Sequence, residues 1–145
     1  CLVWETLWKL YQKSDRLDYD LLLNPHHCSW HSLSYDSQSE DPDPQICKDA
    51  KSALSKKKAG ARIVAQCKPI KDDDDDPPSQ AAKNEYLTIV SKECFYCTDE
   101  YPNEKNPEPL EFNLTNAGPQ KKGFKEKSKL SLAAIASTKE SYPHG

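Results

Sequence analysis

The chain has 145 residues, six cysteines, no methionine and a net charge of -3. Its hydrophobic share of 36% lies below the roughly 45–50% of ordinary globular domains, so one domain over 1–145 with a small core is expected. No apolar run approaches the roughly 18 residues that a membrane-crossing helix needs, which excludes that class and predicts a soluble protein without a membrane partner.

A chain that starts at Cys1 and has no methionine is expected to be the mature product of signal-peptide removal, hence secreted and extracellular. In an oxidising compartment an even cysteine count predicts three disulfides among Cys1, Cys28, Cys47, Cys67, Cys94 and Cys97, each adding about 2–4 kcal/mol. The spacing does not choose among the pairings.

Residues 2–13 place Trp4, Leu7, Trp8 and Tyr11 at helical spacing, which predicts an amphipathic helix whose aromatic stripe belongs to the core. Leu17, Tyr19, Leu21 and Leu23 then alternate with Asp18, Asp20 and Leu22 as a half-buried strand that Asn24 and Pro25 end. Residues 34–45, rich in Ser, Asp and Pro, read as an exposed loop. Ile46, Ala50, Ala53 and Leu54 give a second helix, for which Gly60 is the expected stop. Ala61 to Lys68 reads as a strand. Residues 71–80 carry five aspartates followed by Pro77 and Pro78 and form a solvated loop. Glu85 to Thr98 is rich in strand-forming residues and is expected as the longest strand. Cys94 and Cys97 should then leave it on opposite faces and find different partners. A strand at Leu110 to Leu114, an apolar segment at Leu130 to Ala136 and a tail over 137–145 complete the chain. The predicted fold is α+β: about four mostly antiparallel strands, helices on one side, stapled by disulfides.

Charge alternates along the chain. The net charge is -5 over residues 1–47, +7 over 48–71, -9 over 72–112 and +4 over 113–145. Neighbouring blocks of opposite sign are expected to neutralise one another on a solvated surface. The functional alternative is a basic face that meets an acidic partner or polyanion. It would be built from Lys56, Lys57, Lys58, Arg62 and Lys68 with Lys121, Lys122, Lys125, Lys127 and Lys129.

The densest run of reactive side chains is His26, His27, Cys28, Ser29, Trp30 and His31. With Cys94-x-x-Cys97 it offers ligands of the type and spacing of a zinc site. That site would leave an odd number of cysteines to pair, so no metal is expected. Cys94-Phe95-Tyr96-Cys97 resembles a redox motif but lacks the helix N-terminus that lowers a thiol pKa, and reads as structural. A ribonuclease-like enzyme would use a histidine of this run with Glu93 or Glu111. The aspartate run lacks the spaced ligands and turn glycine of a calcium loop. Asn113-Leu114-Thr115 is a glycosylation sequon. Nothing in these residues calls for a cofactor or a nucleic-acid partner, and the chain is expected to be a non-enzymatic monomer. A third class, a secreted ligand carrier of an animal parasite, would require an enclosed apolar cavity, against which the low apolar content argues.

The six cysteines, set on this order of helices and strands in a lysine- and aspartate-rich chain, resemble a small secreted effector of a plant-pathogenic fungus. More narrowly, the layout is similar to the Leptosphaeria avirulence and suppressing effectors, which include extracellular proteins of the tomato leaf mould fungus. The resemblance implies secretion during colonisation, with delivery into host cells as a conceivable later step, and action by binding host plant proteins. It also implies recognition by plant resistance proteins, with some members hiding the recognition of others. Lys56, Lys57, Lys58, Arg62, Lys121 and Lys122, together with the loops at His26 to Trp30 and Asp72 to Pro78, are the expected contact surface.

Overall fold

Helix α1 (Leu2–Tyr11) forms where the 3.6-residue spacing of Trp4, Leu7, Trp8 and Tyr11 predicts it. Those four side chains are half-buried rather than buried, and α1 lies against α2 (Lys48–Leu54). The computed structural model describes residues 1–123; Leu130 to Ala136, the tail and Lys125, Lys127 and Lys129 lie outside the described residues.

The main sheet has three strands, β1 (Tyr19–Leu23), β2 (Lys57–Ala65) and β3 (Phe95–Cys97), in the order β1-β2-β3. Both pairings are parallel, with Leu23 opposite Val64 and Ala65 opposite Cys97. This corrects the antiparallel expectation. Each pair of neighbours is joined by a long crossover carrying a helix, α2 in the first and α3 (Gln80–Ile89) in the second, and such connections bring strands back in the same direction. An antiparallel pair does exist as a separate hairpin, β4 (Phe112–Thr115) with β5 (Gly118–Lys121). Its second strand was not expected from the sequence. The hairpin meets the sheet through an aromatic group: Phe112 packs edge-on to Tyr96 at 5.8 Å, and Lys121 lies 5.2 Å from the Tyr96 ring centre and 5.1 Å from that of Tyr101.

Two further expectations are overturned. Gly60 does not stop a helix; it lies inside β2 at φ 75°. The β1–β2 register shifts between Tyr19 and Leu21, and a glycine supplies the positive φ that such a bulge uses. The expected strand from Glu85 to Thr98 is mostly helix. Ser79 caps α3 by accepting from the Ala82 N–H at 3.2 Å, and Ala82, Tyr86 and Ile89 recur at helical spacing as its buried residues. Only Phe95–Cys97 remains extended. The solvated loop therefore ends at Ser79, because Gln80 is already helical.

The core gathers Leu33, Leu54, Ile63, Ala65, Ile70, Ala82, Tyr86, Ile89, Val90 and Phe95 with Cys28 and Cys97. Tyr86 of α3 stacks on Phe95 of β3 at 6.5 Å. All six cysteines are free thiols in this structure, so the expected staples are not formed in it.

Candidate functional site at the carboxyl edge of the sheet

In an open parallel sheet the loops that leave the carboxyl ends of the strands converge on one edge, and ligands of such folds bind there. In this chain each of those loops carries a cysteine close behind its strand: Cys28 after β1, Cys67 after β2, and Cys97 as the last residue of β3. The Cys67 and Cys97 sulfurs are 3.7 Å apart. Cys97 also donates to the carbonyl oxygens of Cys67 and Lys68 at 3.3 and 3.4 Å. The hydrogen bond to Cys97, together with burial, pushes the Cys67 thiol far up. Cys28 belongs to the same buried cluster as Cys97, with Cys67 packed against it, and burial pushes the Cys28 thiol up to about 12.

The loop that delivers Cys28 is strained. His26, His27 and Cys28 lie at φ 48°, 55° and 67°, three consecutive left-handed residues that each cost about 1–2 kcal/mol when a side chain is present. Several contacts hold this conformation. The Asn24 N–H donates to Val64 O at 2.8 Å, Ser29 N–H to His26 O at 3.1 Å, and Ser79 N–H to Cys28 O at 2.9 Å. His27 Nδ1 lies 2.5 Å from Gln66 O. A carbonyl can only accept, so Nδ1 carries the proton. That bond joins the residue before Cys28 to the residue before Cys67. Beside Cys28 the Asn24 side chain is buried, with neither amide atom given a conventional partner among the described residues.

Outside this sulfur cluster the histidines face solvent. His26, His27 and His31 with Asp76 and Pro77 line a cleft of about 350 Å³. His31 also borders a polar cleft of about 400 Å³ formed by Ser37, Gln38, Ser39 and the Asp72 to Asp76 run. Asp76 is fixed by accepting from the Trp30 N–H at 3.1 Å, and Trp30 itself is buried rather than part of an exposed loop. The carboxylates weighed as partners for these histidines lie elsewhere: Glu93 precedes β3, at the other end of that strand, and Glu111 pairs with Lys122 at 2.7 Å.

No family model, curated protein or solved structure matches this chain.

The residues expected to form a lysine face are drawn into contacts within the chain. Lys56 approaches Asp18 at 3.8 Å and Lys58 pairs with Asp20 at 2.9 Å, while Lys122 pairs with Glu111. Lys121 lies over Tyr96 and Tyr101. Arg62 Nη1 donates to the Cys94 sulfur at 2.7 Å. Lys57 is exposed and has no ion-pair partner among the described residues. The pairs join neighbouring sequence blocks of opposite sign, as do Lys68 with Asp75 and Lys71 with Glu104. Such pairs are individually worth about 0–1 kcal/mol, but they leave little unmatched positive charge on this surface.

Cys94 and Cys97 do meet different neighbours, Arg62 and Cys67, but not through strand alternation, because Cys94 lies in a 3-10 turn before β3. The zinc set is not assembled: among the described residues no group of three or more His, Cys, Asp and Glu is placed to hold a metal. Asn113 of the sequon is exposed on β4. Sequence reasoning missed Cys67 as the partner of Cys97 and Asn24 as the buried neighbour of Cys28. The available signal was that Cys28, Cys67 and Cys97 each follow an apolar strand run by a few residues, a coincidence that acquires meaning only when the strands are parallel.

Proposed function

We propose that this chain is a secreted recognition domain, an effector-like protein that acts by binding a host plant protein rather than by catalysis. The observation that carries the reading is the outer face of α1. Leu2, Val3 and Leu10 are 65–66% exposed, and Tyr35, 57% exposed, is tied to this helix by its hydrogen bond to Glu5. With Trp4, Leu7, Trp8 and Tyr11 turned inward, the helix is apolar around most of its circumference, a pattern that belongs to a helix covered on both sides. Such large apolar side chains left exposed along one helix of a small charged protein are what a contact surface offers. Two features support the extracellular setting: the cysteine count, and the close approach of Cys67 to Cys97.

This reading moves the contact surface away from the lysines, because all of the named ones except Lys57 are drawn into contacts within the chain. The test is infiltration of the purified protein into leaves of a panel of host genotypes, alongside the variants V3Q/L10Q and K56E/K57E/K58E. A genotype-dependent response that V3Q/L10Q abolishes and the lysine variant retains is the expected result. A response lost only with the lysine variant would return the surface to the basic face. No response in any genotype, or RNA hydrolysis lost on His31→Ala, would sink the binding reading. Circular dichroism of each variant separates a lost contact from a lost fold.

A further inference from the structure

We propose that the six cysteines sort into two bridges and two thiols: Cys67–Cys97 and Cys1–Cys47 are bridged, while Cys28 and Cys94 stay reduced. The inference rests on the secretory reading only for the source of the oxidant. The pairing itself rests on the fold.

Cys67 and Cys97 already touch, at 3.7 Å between sulfurs. They sit on adjacent parallel strand ends, with Ala65 opposite Cys97 and Cys67 two residues beyond Ala65. A modest side-chain rotation closes the remaining distance to the roughly 2 Å of a disulfide. The flanking bond from Thr98 Oγ1 to Cys67 O, at 3.4 Å, holds these two segments together independently of sulfur chemistry.

Cys1 and Cys47 are brought to one short segment from different helices. The Cys1 nitrogen donates to His31 O, and the Cys47 N–H donates to Leu33 O at 2.8 Å. Cys1 opens α1 and Cys47 caps α2, and those two helices pack on each other.

The two remaining cysteines cannot meet in this fold. Cys28 packs in one buried cluster with Cys97, the last residue of β3, whereas Cys94 precedes that strand and sits on Arg62. Cys94 closes the short 3-10 turn before β3, so Cys94 and Cys28 lie at opposite ends of that strand. A third bridge would require the Arg62 contact and the strained His26–Cys28 turn to be given up together.

Each bridge forms by thiol–disulfide exchange. Two cysteine thiols and one molecule of a small disulfide give one protein disulfide and two small thiols, the two protons passing to the departing sulfurs. The full chain, folded in a mixture of reduced and oxidised glutathione, is labelled with iodoacetamide in buffer, then with N-ethylmaleimide in denaturant, and mapped by peptide mass. The expected product has lost four hydrogens. It carries the first label on half-exposed Cys94 and the second on Cys28, which is fully buried. A bridge containing Cys94, or both labels on Cys67 and Cys97, would overturn the assignment. Cys67→Ser should free Cys97 for labelling while Cys1–Cys47 persists; an unchanged label pattern at Cys97 would also refute it, and Cys67→Ala guards against misfolding of the first variant. Correct bridges without any leaf response would sink the recognition reading alone. A leaf response with scrambled bridges would sink this one alone.

Discussion

Arg62 and Cys94 continue the β2–β3 pairing by one position: Ile63 lies opposite Phe95, and the Arg62 guanidinium reaches the Cys94 sulfur at 2.7 Å. Arg62 Nε is buried and has no hydrogen-bond partner among the described residues, so this sulfur is an acceptor the guanidinium can ill do without. With thiols reduced, Cys94→Ala is expected to lower stability by about 1 kcal/mol, and Cys94→Ser, which keeps an acceptor, by less. Urea midpoints of the two variants measure the difference. Equal losses would mean that the sulfur contributes packing alone.

Tyr86 offers the opposite case. Its ring is fully buried against Phe95, yet its hydroxyl has no partner among the described residues, and the Ser32 hydroxyl beside it donates to Pro25 O at 3.3 Å instead. Tyr86→Phe keeps the packing and removes a buried polar group, so stability should be unchanged or up to about 1 kcal/mol higher. Tyr86→Ala should cost about 3–5 kcal/mol through the cavity it leaves. A thermal melt in which the Phe variant drops by several degrees would show that the hydroxyl is bonded after all.

Alkaline pH should destabilise the reduced protein in two overlapping steps. Burial pushes Cys28 from its usual 9.0 to about 12 and Tyr19 from 10.0 to about 12, so the native state keeps protons that the unfolded chain releases. Below pH 9 both states hold them and neither group affects stability. Above it the unfolded state binds fewer protons, and stability falls as pH rises through about 12. Denaturant titrations between pH 8 and 11 should show this slope. Cys28→Ala should flatten the part that begins near 9, and Tyr19→Phe the part that begins near 10. A flat profile in the parent protein would contradict the burial of both groups.

Replacing His26, exposed and left-handed at φ 48° and ψ 43°, with glycine should raise stability by about 0.5–1 kcal/mol. The relief of left-handed strain outweighs glycine's extra freedom in the unfolded chain. Comparison of His26→Gly with His26→Ala isolates the backbone contribution, because both remove the ring. If alanine stabilises as much as glycine, strain is not the cause.

Local pattern was enough to place α1, β1 and α2, whose apolar spacings are unambiguous. It failed at Glu85 to Ile89, where Thr88 and Ile89 argue for strand while the Ser79 cap and the burial of Ala82, Tyr86 and Ile89 impose helix. The error propagated. Without α3 in the second crossover, nothing indicated that the strands run parallel, and without parallel strands there was no common edge at which Cys28, Cys67 and Cys97 would gather. Charge was more legible, since the alternating blocks pair as Lys58 with Asp20 and Lys71 with Glu104. The three left-handed residues from His26 to Cys28 have no sequence signature, because none of them is glycine or asparagine.

The strand order β1-β2-β3 has a kinetic consequence. β2 finds β1 only after the first crossover has closed, and β3 only after the second, so no pairing in the main sheet is local in sequence. The entropy of both loop closures must be met before the pairings reward it, which slows folding. A nascent chain emerging from the ribosome can dock α1 on α2 and pair β1 with β2, but one edge of β2 stays open until Phe95 to Cys97 arrive. During that interval a half-built parallel sheet exposes Ile63 and Ala65 beside an unpaired strand edge, the condition under which misassembly competes with folding.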